Sequence, residues 1–332
     1  MKDSGLYERL RGVLSDDMSR VEAYMRDTLT YVRLLQPMRT IIEELLTAPG
    51  KQIRPMLTLL AARALGAGEA QKEKLIKLGA LLEIVHMASL VHDDVVDDAP
   101  LRRGLPTVQE TYGKNIAVYT GDFLLSRVLS ALLKGGMNRS GEEIALAVEK
   151  MCIGETVQME MRFDADTTEE QYLGMIRGKT VALFTAAFRI AGIECAVSDG
   201  IMKKLSELGI CFGYVFQLRD DLLDYVSDAK SEGKAVHADL RAGYYTLPLL
   251  YTLQGKDGAA LKRILEKKGH MDEENERDVM RMIREADALG YTKERIDAYA
   301  ARALTLLAEC ADGEDTARIK EVMTWLTKSI RI

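Results

Sequence analysis

A chain of 332 residues, 47% of them hydrophobic and 29% charged, carries ample apolar material for a large core, which excludes disorder as a description of the whole. A formal net charge of -6 argues against a nucleic-acid partner, since such proteins present a basic face. Cys152, Cys195, Cys211 and Cys310 lie far apart without a CxxC pair, which excludes a disulfide framework and a zinc site and fits a reducing, cytoplasmic compartment. The charged N-terminus has no secretory pattern, and no run of 18 apolar residues occurs, so no membrane span is expected.

The six prolines stand at positions 37, 49, 55, 100, 106 and 248. A proline inside a helix costs roughly 3 kcal/mol, so the proline-free stretches 107–247 and 249–332 permit long helices. Apolar residues recur at helical spacing, as in Leu57, Leu59, Leu60 and Leu65, and again in Leu124, Leu125, Val128, Leu129, Leu132 and Leu133. Alternating strand patterns are missing. The chain reads as all-α, a single domain over 1–332 with ten or more long helices. Breaks are expected at Ala48-Pro49-Gly50, Ala99 to Pro106, Gly135 to Gly141, Asp164 to Thr168, Glu194 to Gly200, Ser227 to Gly243 and Gly269 to Glu273. Thr167-Thr168-Glu169-Glu170 has the form of a helix start, with acids in the first turn.

Asp93-Asp94-Val95-Val96-Asp97 recurs in form as Asp220-Asp221-Leu222-Leu223-Asp224, each within apolar helical context. On a helix, positions i and i+4 share a face and i+1 lies beside them, so each motif projects three carboxylates toward one side. A lone acidic triplet reads most simply as a solvated face. Two copies flanked by Leu90, Val91, Phe216 and Leu218 call for a counter-charge. Mg²⁺ suits them, because it takes one or two carboxylates and completes its shell with water and phosphate oxygens. Two facing clusters would then grip a diphosphate. Fixed cations for such a ligand are available in Lys51, Arg54, Arg102, Arg103, Lys179 and Lys234.

Other readings fit less of the chain. Gly174 to Thr180 has three residues between its glycines where a P-loop needs four. Glu83 to His86 is a lone ExxH, where a di-iron bundle needs two. Asp93 does not open an EF-hand loop. His92-Asp93 could be the pair of an HD-type metal phosphohydrolase, which would leave the second aspartate motif without a purpose.

The motifs, taken in order, resemble those of the trans-isoprenyl diphosphate synthases, or polyprenyl synthetases, from about Gly50 to Pro248. They are Gly50-Lys51-Gln52-Ile53-Arg54-Pro55, the stretch from His86 to Arg103, Gly121-Asp122, Gly154-Glu155 with Gln158, and Lys179-Thr180. They continue with Gln217 to Asp224, Gly233-Lys234, Asp239-Leu240 and Thr246-Leu247-Pro248. The stretch from His86 to Ala99 is most similar to the catalytic subunit of bacterial heptaprenyl diphosphate synthases. The resemblance implies a helical bundle around a deep apolar cavity, with the two acidic helices facing at its mouth. It implies that Asp93, Asp94, Asp97, Asp220, Asp221 and Asp224 hold Mg²⁺ on an allylic diphosphate. Arg102, Lys179, Thr180, Gln217 and Lys234 would contact that substrate, and Lys51, Arg54, His86 and Arg103 would hold isopentenyl diphosphate. Family members often carry a lysine shortly before the Thr-Leu-Pro triplet, where this chain has Tyr244 and Tyr245.

The product should grow beside the first acidic helix. Ala88 and Ser89 lie about one turn, ~6–7 Å, below Asp93. Short-chain members tend to carry bulky aromatics there, whereas small residues leave the channel open, with Val85 or Leu125 as a floor further down. A product of C25 or longer, centred on C30 to C40, is expected, serving a quinone side chain. A geranylgeranyl-length or farnesyl-length product and a non-catalytic partner role are the alternatives. The resemblance also implies a homodimer, or a pairing with a small regulatory subunit, and at most transient membrane contact.

Overall fold

The computed structural model describes residues 4–30, 35–47, 50–226, 237–268 and 271–328, and nearly all of them are helical. The chain groups into two compact units, each assembled from separate segments. The first comprises residues 1–148, 186–206 and 308–321, and the second comprises 149–185, 207–307 and 322–332.

The first unit opens with α1 (Ser4–Val13), α2 (Ser15–Thr30), α3 (Met38–Thr47), α4 (Ile53–Ala64) and α5 (Glu69–Val96). Next come β1 (Leu101–Arg102), β2 (Leu105–Pro106), α6 (Val108–Tyr112), α7 (Lys114–Lys134) and the start of α8 (Asn138–Glu160). The centre is α5, packed on α2, α4 and α7. Leu75, Leu78, Leu81, Leu82, Ile84, Val85 and Ala88 are all buried, so α5 is apolar on several sides, as a helix enclosed by neighbours must be. Each such leucine contributes about 1.5–3 kcal/mol by leaving water. Pro55 sits in the first turn of α4, where a missing N–H costs no helical bond.

The loop from Ala99 to Pro106 holds a feature that sequence patterning did not show. It closes as a two-residue antiparallel hairpin, Leu101 opposite Pro106 and Arg102 opposite Leu105. Arg103 and Gly104 both have positive φ, 53° and 79°, as a tight hairpin turn of this length requires. Strands of two residues are too short to leave an alternating signal.

The second unit holds the end of α8, α9 (Glu169–Ile176), a π-helical turn over Arg177–Val181, the start of α10 (Ala182–Glu194) and most of α11 (Asp199–Val226). It continues with α12 (Ala238–Ala242), α13 (Leu247–Leu253), α14 (Gly258–Leu265), α15 (Glu273–Glu285), α16 (Ala288–Cys310) and part of α17 (Glu314–Lys328). The helix start expected at Thr168 is present. Its hydroxyl accepts from Gln171 N at 3.2 Å, and Gln171 Oε1 accepts from Thr168 N at 2.8 Å. Gly209 and Gly213 bring α11 onto the backbone of the turn and of α10. A Cβ at either would lie 2.6 Å from a Cα, of Thr185 or of Val181.

Among the described residues, two helices, α5 and α7, are long and apolar enough to cross a membrane by length and composition, although the sequence holds no unbroken apolar run. In α5, 72% of that window is buried inside the protein, as suits a core helix.

Candidate active site

The first aspartate motif ends α5. Asp93 and Asp94 lie in its last turn, and Asp97 caps it in helical conformation, so the expected common side is kept. The three carboxylates are held differently. Asp94 is 5% exposed, and Arg102 Nε reaches its two oxygens at 2.8 and 3.0 Å. Burial raises the Asp94 carboxyl pKa, and the Arg102 guanidinium opposes that rise. Asp93 is half-buried and Asp97 exposed. The hairpin brings Arg102 back to α5. Its base is fixed by Thr107 Oγ1 and Gln109 Nε2, which donate to Ala99 O at 2.7 and 2.9 Å.

Further down α5 is a cationic pocket. The Arg103 guanidinium lies flat on Gly50, where a Cβ would come within 2.7 Å of it. Arg54 is buried, its pKa lowered to about 10 by burial against the pull of Glu83, so it stays charged at neutral pH. Glu83 is likewise buried and raised, with Arg54 and Arg103 opposing the rise. His86 is held well below its usual pKa by burial and by Arg54, Arg103 and Arg102, which makes it a neutral imidazole. Gly50, Glu83, His86, Arg102 and Arg103 all line one cavity, and Lys51 is exposed at the start of the segment. Thus Arg54, His86 and Arg103 of the expected set are brought together.

His92 points elsewhere. Its ring occupies the space a Cβ at Gly121 would need, with Nε2 3.3 Å from Val118 O and 3.4 Å from Asp122. That explains the Gly121-Asp122 pair. It also commits His92 to α7, away from the Asp93 pairing that a phosphohydrolase would require.

The second aspartate motif lies near the end of α11. Asp220 is exposed, Asp224 half-buried, and Asp221 is 4% exposed. Asp221 accepts from the Tyr172 hydroxyl and from Gln217 Nε2 at 2.6 Å. Burial and the neighbouring Asp220 push its pKa up to about 7 against those two donors and Lys179. Gln217 Oε1 in turn accepts from the Thr180 hydroxyl at 2.6 Å. Lys179 Nζ donates to Glu155 and Gln158 at 2.9 and 2.6 Å. Thr180, Gln217 and Asp221 therefore form one hydrogen-bonded chain, and Lys179 acts on Asp221 through its charge. The π turn positions Lys179 and Thr180, and it fits against α8 because a Cβ at Gly154 would lie 2.3 Å from Lys179 N. Lys234 lies outside the described residues.

Sequence reasoning assigned no role to Tyr172, Glu155, Gln158 or Glu83. Tyr172 had no signal, since it reaches α11 from a distant segment. Gln158 and Glu155 stood inside a recognised motif, and their role follows from the i,i+3 spacing that lets one lysine meet both.

Among the described residues, no three histidine, cysteine or acidic side chains gather closely enough to hold a metal on their own. The donor set still fits Mg²⁺. It is all hard carboxylate oxygen, and Mg²⁺ uses one or two such groups and takes the remainder from phosphate and water.

Small residues lie below the first motif, as expected. Ala88 is fully buried, and Ser89 donates to His86 O at 2.9 Å. One turn lower, Val85 lines an open apolar groove of about 400 Å³ with Leu125, Val128, Leu129, Leu132 and Ile144. Val85 of α5 and Leu125 of α7 thus face the same apolar space.

The sequence profile of the polyprenyl synthetase family matches residues 35–285. Heptaprenyl diphosphate synthase component 2 of Geobacillus stearothermophilus is 33% identical over 319 residues, 95% of this chain and 96% of that one. The crystal structure of a decaprenyl diphosphate synthase from Rhodobacter capsulatus superposes with a TM-score of 0.90 at 31% identity, covering 98% of this chain and 100% of that one. A polyprenyl synthase from Caulobacter crescentus, complexed with calcium and isoprenyl diphosphate, superposes at 0.87 with 30% identity and 98% coverage of both chains.

Proposed function

The chain belongs to the polyprenyl synthetase family and is a prenyltransferase, and from that premise we propose that it condenses isopentenyl diphosphate with an allylic diphosphate in a Mg²⁺-dependent reaction. The product is a long all-trans polyprenyl diphosphate, C25 or longer and centred on C30 to C40. The observation that carries the reading is the shared construction of the two motifs. In each, the middle aspartate is buried and held by protein donors, while the outer ones stand nearer the surface.

Asp93, Asp97, Asp220 and Asp224 would hold the metal, with Asp94 and Asp221 completing the two sets. Bound Mg²⁺ neutralises the diphosphate and makes it a competent leaving group. Lys179 would supply fixed positive charge to a diphosphate leaving group, as would Arg102 while holding Asp94. Lys234 is assigned there by its motif. Thr180 and Gln217 orient the substrate through the hydrogen-bond chain that ends on Asp221. Lys51, Arg54 and Arg103 bind the second diphosphate, and neutral His86 donates to it without adding charge. The apolar walls keep water from the allylic cation, so the isopentenyl double bond is the nearest nucleophile. The proton then lost goes to the departed diphosphate.

The apolar groove lined by Val85 and Leu125 supports a long product. Ala88→Phe would fill the channel above it and is expected to shorten the product; an unchanged spectrum would sink the channel assignment. The exposed apolar residues Tyr119, Leu129 and Leu133 on α7 support a homodimer, which light scattering would test as a molar mass. The direct test of the activity incubates the purified chain with Mg²⁺, isopentenyl diphosphate and farnesyl diphosphate, and sizes the dephosphorylated alcohol. A single long alcohol is expected. Absence of product, even with added extract of the source cell, would reject the catalytic reading.

A further inference from the structure

Arg162 belongs to none of the motifs above, and it is an exposed cation of the second unit held by a backbone carbonyl and two rings. It lies two residues past α8, in a tightened last turn where its N–H meets Met159 O at 3.3 Å. Its Nε donates to Ala242 O at 2.5 Å. Its guanidinium carbon lies 5.3 Å from the centre of the Phe163 ring and 5.5 Å from that of Tyr244. Rings on a planar cation hold its orientation as well as attract it.

The segment beneath it is rigid at a cost. Phe163 has a positive φ of 61°, a conformation that a bulky residue keeps only where the surroundings enforce it. Here Phe163 N donates to Gly243 O at 2.8 Å. Gly243, at φ 85°, leaves no room for a side chain, since a Cβ would meet the Phe163 ring at 2.6 Å. Two separate segments are thus bolted together, and the outcome is a held guanidinium. Among the described residues its two Nη groups make no hydrogen bond or ion pair. A pre-oriented fork with both outer nitrogens available matches a phosphate group.

Two connections locate this fork. Gln158, four residues earlier and on the same helical face, receives Lys179 Nζ at 2.6 Å. That puts Arg162 about one turn, ~6 Å of axial rise, from the glutamine that receives the lysine. The segment carrying Ala242 to Tyr244 is tied to the acidic helix, because Asp239 N donates to Asp224 at 3.3 Å. Arg162 is thus joined through Gln158's helix to the lysine and through the Ala242 to Tyr244 segment to the second aspartate motif.

We propose that Arg162, clamped between Phe163 and Tyr244, is a further binding residue for the diphosphate of the allylic substrate. It rests on the prenyltransferase reading and adds a cation that no motif supplies. Tyr244 acquires a purpose as the ring that orients it.

Arg162→Gln removes the charge and keeps most of the volume, and Arg162→Lys keeps the charge. Steady-state kinetics with farnesyl diphosphate and isopentenyl diphosphate, and calorimetric titration of inorganic diphosphate with Mg²⁺, read the result. For the glutamine variant, KM for farnesyl diphosphate and Kd for inorganic diphosphate should each rise about tenfold, with KM for isopentenyl diphosphate unchanged and lysine recovering part of the loss. An unchanged KM for farnesyl diphosphate would overturn the proposal. So would an equal rise for both substrates with a lowered melting temperature, which marks a purely structural clamp. Asp220→Asn is the companion control. If that variant keeps full turnover, the parent reading of the site fails, whatever Arg162 does.

Discussion

On α5 the middle aspartate is gripped by an arginine; on α11 its counterpart is gripped by a tyrosine and a glutamine. Both carboxylates are nearly inaccessible, so the contrast lies in the partner. Asp94 shares its charge with a cation delivered by the hairpin. Asp221 has only neutral donors at contact distance and lies in a buried site, which is why burial carries its pKa to about 7. The same spacing of three aspartates therefore produces two electrostatic environments. The teaching is that the outer aspartates stand nearer solvent in both motifs, while each middle one is tied into its own local architecture.

The most severe test of that symmetry removes an outer carboxylate from each helix. Asp93→Asn and Asp220→Asn should each lower kcat/KM by about 10³-fold, because each would lose a hard anionic ligand at a charge-developing centre. A near-normal Asp220 variant would mean that the second motif is not part of the machinery. Next in size, Lys179→Gln should cost about 10²-fold in kcat with the fold intact by circular dichroism. The middle positions come third. Tyr172→Phe and Arg102→Met each strip a hydrogen bond from a carboxylate, worth about 1.5–3 kcal/mol in urea unfolding. The Arg102 effect should sit at the lower end, since its side chain is 37% exposed, and should shrink in high salt. The Tyr172 effect should not respond to salt, and equal responses would erase the contrast drawn above.

The smallest expected effect is on pH dependence. His86 is kept neutral when folded, so between its low folded pKa and about 6.5 the unfolded chain binds a proton that the native state refuses. Stability should therefore be complete above pH 6.5 and decline as pH falls below it. His86→Gln should flatten that limb of the profile, and an unaltered limb would assign it to other groups.

Much of this was legible in the sequence. The helical class followed from spacing and from proline-free stretches. The aspartate pairs stood out because like charges rarely recur in apolar helices. Gln217 and Asp221 are four residues apart, so their contact was implicit. What was hidden depends on chain that returns from afar. Asp94 meets Arg102 only because Arg103 and Gly104 adopt positive φ, and Tyr172 meets Asp221 across 49 positions. No local pattern could distinguish a carboxylate facing solvent from one facing an arginine. Arg162 looked like ordinary surface charge, because its value lies in two rings, one of them eighty-two residues away.

The π-helical turn at Arg177–Val181 has a consequence for how this chain can change over time. It amounts to one residue more than the α-helical count, and it is what sets Lys179 toward Gln158 while Phe184, beyond it, still reaches Phe216 with ring centres 5.1 Å apart. Deleting one residue would restore regular winding but rotate everything downstream by about 100° relative to the lysine. Either the ammonium or the aromatic core would then be out of phase. Substitutions can drift freely around this turn, but its length is locked from both ends.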